Sequence, residues 1–77
     1  MAKIAIHFYG RLAEQLGPGR SLELAEDGCT IAELRQLIGD VAARSGVKAA
    51  VRDQIVADDF RIRAGDEVDF FPPVSGG

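Results

Sequence analysis

Tryptophan is absent from the 77-residue chain, and cysteine, histidine, methionine and tyrosine occur once each. A single cysteine cannot close an internal disulfide, which leaves the compartment unconstrained but compatible with a reducing cytoplasm. One histidine and one cysteine are too few for a nitrogen/sulfur metal site unless carboxylates supply the other ligands. No apolar run approaches the roughly 20 residues that span a bilayer. Met1-Ala2-Lys3 leads straight into an alternating pattern rather than a charged and then apolar leader. A soluble, cytoplasmic protein without membrane contact is therefore expected. Basic excess is also lacking: 9 Lys and Arg face 12 Asp and Glu, for a net charge of −3. The cations form no stripe, which argues against a nucleic-acid surface, and the balance leans toward a partner with a basic face.

What is present suits one small packed domain. Hydrophobic residues make up 47% of the chain, enough for a core, although a domain of this size buries only about 60% of its unfolded surface. Ile4, Ile6 and Phe8 alternate with Ala5, His7 and Tyr9, a period of two that predicts a half-buried strand ended by Gly10. Arg11 to Leu16 predicts a short helical turn, broken by Gly17-Pro18-Gly19. Ser21 to Leu24 predicts an antiparallel neighbour of the first strand. Thr30 and Glu33 have the spacing of a capping box. From there Ile31, Leu34, Ile38, Val41 and Ala42 give one apolar helical face, widened by Leu37 and ended at Ser45-Gly46. Gly39 falls inside this predicted helix at a cost of about 1 kcal/mol relative to alanine, for which a close approach to the sheet would account. Ala49–Arg52 and Gln54–Ala57 predict short strands around Arg52-Asp53. Phe60 and Ile62 point inward from an irregular stretch. Ala64-Gly65-Asp66 turns into a last strand, Glu67–Phe71, whose Val68 and Phe70 share a face. One main helix on a sheet, an α+β arrangement, satisfies these apolar faces.

Few residues carry chemistry of their own. His7 reads as a residue of the strand's open face and Cys29 as a small turn residue before the helix, with nothing in the sequence to place them together as a nucleophile and base. Glu26-Asp27 and Asp58-Asp59 sit at predicted turns and read as solvated charge. No glycine-rich phosphate loop follows a strand.

The informative stretch is the end of the chain, Phe70-Phe71-Pro72-Pro73-Val74-Ser75-Gly76-Gly77. Proline donates no hydrogen bond to a sheet, so the chain must leave it at Pro72 and project stiffly. Residues 72–77 span roughly 20 Å when extended, at about 3.3–3.6 Å per residue. Gly-Gly ends arise by chance in about one chain in 200, so the dipeptide alone carries little. A strand, a Pro-Pro stop and Gly-Gly in succession carry much more. Without Cβ atoms the tip is thin enough for a narrow channel, and its carbonyl is open to attack.

This ending resembles that of the small subunits of molybdopterin synthase, a family of ubiquitin-like sulfur carriers. The likeness extends to Phe8-Tyr9-Gly10-Arg11-Leu12-Ala13-Glu14, to Thr30-Ile31-Ala32-Glu33-Leu34-Arg35 and to Ala64-Gly65-Asp66-Glu67-Val68. The resemblance implies a β-grasp domain over residues 1–71, with first and last strands parallel and central, and an extended tail over residues 72–77. It implies that Gly77 is adenylated and then thiocarboxylated, a carrier role within a heteromeric sulfurtransferase rather than catalysis by this chain. Gly76 would permit threading, while Ser75, Val74, Pro73 and Pro72 would set direction and partner contacts. Of Phe70 and Phe71, alternation puts one in the core and the other, Phe71, toward a partner. No cofactor would be bound; ATP and magnesium would be used by an adenylyltransferase of the ubiquitin-activating type. Further partners would be a sulfur donor enzyme and the large synthase subunit, where sulfur passes to cyclic pyranopterin monophosphate during molybdenum cofactor biosynthesis. The chain departs from the family at Arg52-Asp53, where an asparagine is usual, and at Asp69, where a small or apolar residue is. Carriers for thiamin thiazole synthesis share the fold and the Gly-Gly end without the Phe-Phe-Pro-Pro run. A protein modifier or a groove-docking Pro-Pro domain are the other readings.

Overall fold

Alternation in the first and last strands places Ile4, Ile6 and Phe8 of β1 (Ala2–Phe8) and Val68 and Phe70 of β7 (Glu67–Phe71) on one buried face. The computed structural model describes residues 2–43 and 46–72. Between these strands run α1 (Arg11–Leu16), β2 (Gly19–Leu24), β3 (Cys29–Thr30), α2 (Ile31–Ile38), α3 (Asp40–Ala43), β4 (Lys48–Val51), β5 (Gln54–Val56) and β6 (Arg61–Ile62). The five-stranded sheet has the order β2-β1-β7-β4-β5. Its two central strands pair in parallel, with Ile6 opposite Val68 and Phe8 opposite Phe70. Every other pairing is antiparallel. This is the mixed β-grasp sheet that the resemblance implied, an α+β fold.

The core lies between this sheet and α2. Ile31, Leu34 and Ile38 are buried at helical spacing, beneath Ile4, Ile6, Val68 and Phe70. Phe70 is fully buried, its ring stacked 6.0 Å from that of Phe8. Truncating such an aromatic to alanine costs about 3–5 kcal/mol, comparable with the whole stability of a small domain.

The capping box forms as its spacing predicts. Thr30 N–H donates to Glu33 Oε1 at 2.8 Å, and Glu33 N–H donates to Thr30 Oγ1 at 3.2 Å. The Thr30 N–H foremost, and then the Thr30 hydroxyl, which donates to Glu33 Oε1 at 3.1 Å, hold the Glu33 carboxyl below its ordinary value of 4.5. Two further amides at the start of α2, of Ile31 and Ala32, donate to the carbonyls of Phe60 and Asp58.

Several details differ from the sequence expectation. The main helix does not run through Gly39: that residue has φ 124°, ends α2, and would bring a Cβ within 4 Å of nothing. It is a left-handed break, not a close approach, because only glycine adopts that φ without strain. Leu37 does not widen the buried face; it is 61% exposed. Arg44 and Ser45 lie outside the described residues, so the expected stop at Ser45-Gly46 is not assigned. Cys29 is a buried strand residue rather than a turn residue, paired with Ile62 in a two-stranded sheet of β3 and β6. Such two-residue strands are too short for periodicity to reveal.

That small sheet explains Gly28. With φ 78°, a Cβ there would sit 1.8 Å from the Ile62 carbonyl oxygen. Gly28→Ala is therefore expected to cost at least about 2 kcal/mol, read as a lower urea midpoint. Gly65→Ala meets only the backbone penalty, since its Cβ would face open space, and should cost about 1 kcal/mol. The Glu33 carboxyl, lowered on folding, stabilises the fold above its unfolded pKa and loses that effect as pH falls through the folded one. The stability gap between the wild type and Glu33→Gln should thus narrow as pH falls below 4.5 through the folded value, as read by denaturant melts.

Candidate functional site

The parallel β1–β7 pair brings the exit of both strands to one end of the sheet. Because β7 lies between β1 and β4, the chain leaves at Pro72 from the centre of the sheet rather than from its edge. Alternation decides the two phenylalanines. Phe70 faces the core, and Phe71, half-buried, faces the opposite side of the sheet. There the Phe71 ring stacks on that of Tyr9, with centroids 5.0 Å apart and planes inclined by 12°.

The segment after β1 grips this exit. Tyr9 N–H donates to the Phe70 carbonyl at 3.2 Å. Gly10, at φ 58°, lies so close to Pro72 that a Cβ would stand 3.0 Å from the ring's Cγ. Leu12 N–H then returns to the Tyr9 carbonyl at 3.1 Å as α1 begins. Pro73, Val74, Ser75, Gly76 and Gly77 lie outside the described residues.

The other residues weighed for chemistry divide between the sheet's open face and the core. His7 is there as expected, with Nε2 3.0 Å from Glu67 Oε1. Cys29 belongs to the buried core, where loss of solvation pushes its thiol pKa up. The fold thus separates the one histidine from the one cysteine. Beside His7, a shallow depression of about 440 Å³ is lined by Asp53, Asp66, Glu67 and Asp69 against Arg52. Arg52 donates to Asp66 Oδ1 at 2.9 Å, and Asp66 Oδ2 accepts from Arg63 N–H at 2.8 Å. Asp69 lies opposite His7 in the β1–β7 register, and its charge, foremost among the causes, raises the pKa of the Tyr9 phenol.

Arg52 and Asp53, both at positive φ (52° and 66°), form the two-residue turn between β4 and β5. Two positive φ values mark a type I′ hairpin turn, which favours Asn, Asp and Gly. The departure from the family's asparagine is therefore met by Asp53, and by an ion pair that ties Arg52 down.

In the sequence Arg35 is singled out only within the Thr30–Arg35 run, and its position was missed. Its guanidinium lies 5.5 Å from the Phe70 ring centroid, with its side chain 11% exposed. It donates to the Ala42 carbonyl at 2.8 Å and to Asp58 Oδ1 at 3.1 Å. One side chain thus joins α2, α3 and the loop before β6 behind the strand that feeds the tail. Its spacing, four positions after Ile31 and three before Ile38, was the available signal.

Comparison with known proteins adds an independent line. The family model described as the ThiS family matches residues 6–77. The chain is 35% identical, over 81 residues, to the molybdopterin synthase sulfur carrier subunit of Escherichia coli (strain K12), covering 96% of this chain and 99% of that one. The crystal structure of Haloferax volcanii small archaeal modifier protein 1 superposes with a TM-score of 0.79 at 20% identity, over 96% of this chain and all of the other. A chain in the complex of subunits 1 and 2 of the molybdopterin-converting factor from Helicobacter pylori 26695 gives a TM-score of 0.62 at 20% identity. That match covers 97% of this chain and 99% of that one. At such identities the structural likenesses speak for the fold alone.

Tyr9 is the only tyrosine and tryptophan is absent, so phenolate absorption reports this residue alone. Its titration midpoint should lie above the ordinary 10.0, and Asp69→Asn should bring it down toward that value. A phenol whose pKa is raised by folding favours the fold while protonated, an effect lost as pH rises past 10.0 through the folded value.

Proposed function

The chain belongs to the ThiS family, and on that premise we propose that it is the sulfur carrier subunit of a molybdopterin synthase, working through a thiocarboxylate on Gly77. One observation carries the reading most: a central strand ends in Phe71-Pro72, so a Pro-Pro-Val-Ser-Gly-Gly extension starts from the best-anchored part of the sheet. The 35% identity over 96% of the chain to a sulfur carrier subunit supports the same reading.

The chemistry follows from what a carboxylate lacks. It acylates poorly because oxide would have to leave. In the proposed route a Gly77 carboxylate oxygen attacks the α-phosphate of ATP in the active site of a ubiquitin-activating-type adenylyltransferase. Magnesium pyrophosphate departs and an acyl-adenylate remains. Hydrosulfide supplied by a donor enzyme then adds to the carbonyl carbon and AMP leaves, giving the thiocarboxylate. This sulfur, held on a tethered arm, displaces an oxygen substituent from a carbon of cyclic pyranopterin monophosphate in the large synthase subunit, the C–O bond breaking as the C–S bond forms. Water finally cleaves the resulting thioester and returns the carboxylate. Tethering substitutes effective concentration for diffusion.

The roles divide along the tail. Gly77 bears the sulfur, Gly76 lets the chain thread a narrow channel, and Ser75, Val74, Pro73 and Pro72 direct it. Phe71 contributes to the partner-facing surface, and residues 1–71 form the domain that the partners dock on. The Helicobacter pylori subunit 1–subunit 2 complex supports pairing with a large subunit. We place these steps in the cytoplasm, where ATP is supplied; among the described residues no helix is long and apolar enough to cross a membrane. The fold likeness to an archaeal modifier protein favours protein modification as the second reading, in which lysine conjugates would appear on a denaturing gel.

Intact mass after incubation with the adenylyltransferase, ATP, magnesium and a sulfur source tests the carrier role. One oxygen should be replaced by sulfur in the full chain, and not in a chain lacking Gly77. No change with an activating enzyme proven on another carrier would overturn it.

A further inference from the structure

The contacts around Pro72 do more than close the core. Four independent features converge on three residues of β7's exit. Tyr9 N–H holds the Phe70 carbonyl, the Tyr9 ring stacks on Phe71, Gly10 presses on Pro72, and Phe8 stacks on Phe70 from the opposite face. Neither Tyr9 nor Gly10 belongs to the buried core; Tyr9 is 44% exposed. A tyrosine left so open on a small domain serves the core poorly. Its ring instead covers the last residue before the prolines.

We propose that Tyr9 and Gly10 are positioning residues for the reactive C-terminus, a clamp that fixes the direction in which the chain leaves the sheet at Pro72. This inference rests on the carrier reading for its consequence, though not for its geometry. Proline restricts φ to a narrow range, so a direction imposed at Phe71 and Pro72 carries forward rather than being lost at the next bond. Gly10 is required because its φ of 58° disfavours a side chain, and because a Cβ would push Pro72 away. Tyr9 is required for its ring more than its hydroxyl, since the stack with Phe71 is made by the two ring faces. The clamp acts through the tail and touches no reacting atom. Its effect is on how often the terminal carboxylate arrives aligned, a factor to which rates are steep: a displacement of about 1 Å costs as much as about 100-fold.

The test uses the full chain and two measurements. The first is the rate of sulfur loading by the adenylyltransferase with ATP, magnesium and a sulfur source, followed by intact mass. Tyr9→Ala and Gly10→Ala should each lower kcat/KM about tenfold or more, and Tyr9→Phe should restore it to within about twofold. The second is the residual dipolar coupling of the Val74 amide in the free, unloaded chain. It should change in both alanine variants while the couplings of β1 and β7 stay as in the wild type. Wild-type loading rates in both alanine variants would overturn the proposal. So would a loss of rate with an unchanged Val74 coupling, since that makes Tyr9 a docking contact only. If Gly10→Ala fails to fold, Tyr9→Ala and Tyr9→Phe decide alone. A wild-type chain that never gains sulfur overturns the carrier reading instead, and the Val74 coupling still decides whether the clamp exists.

Discussion

Parallel pairing of the first and last strands is the constraint on which the rest of the structure depends. Parallel neighbours need a crossover between them, and here the crossover is nearly the whole chain. α2 fills it and buries Ile31, Leu34 and Ile38 against the pair. The same pairing keeps the first and last strands away from the edges of the sheet. It makes the C-terminal strand central, flanked by β1 and β4, so the last residues of the fold are among its best held.

From this follows a division of labour between the faces of β7. Val68 and Phe70 point to the core and Glu67, Asp69 and Phe71 to the open face. The inner residues, fully buried, give the strand its stability. The outer ones meet His7, Tyr9 and the carboxylates around Arg52. Arg35 stiffens the inner side further. By lying over Phe70 and bonding the Ala42 carbonyl and Asp58, it couples the broken helix to the strand that carries the tail. The break at Gly39 makes this possible, because it ends α2 and lets α3 start in a new direction, with the Ala42 carbonyl within reach of the guanidinium.

The exit of the chain from the sheet was legible because proline acts locally. Pro72 donates no hydrogen bond to a ladder, and β7 ends at Phe71. The alternation of Phe70 and Phe71 predicted their opposite faces correctly, since side-chain direction in a strand follows from covalent geometry. Tyr9 and Gly10 were legible only as part of a motif. That they close on Pro72, more than 60 positions away, depends on a strand register no local pattern encodes. Arg35 and Cys29 were misplaced for a related reason. A long guanidinium stem can lie along an apolar ring while its head is hydrogen-bonded, and a two-residue strand has no period to read.

By itself, then, the chain's order of residues determined the local elements: the β1 and β7 alternation, the Thr30–Glu33 cap, the apolar stripe of α2 and the stop at Pro72. These follow from backbone sterics and from hydrogen bonds spanning three or four residues. Tertiary structure alone decided which elements meet. It broke the helix at Gly39, paired Cys29 with Ile62, pressed Gly10 against Pro72 and stacked Tyr9 on Phe71. The physical reason is that such contacts are selected by the packing of one shared core and one sheet register, both properties of the whole chain at once.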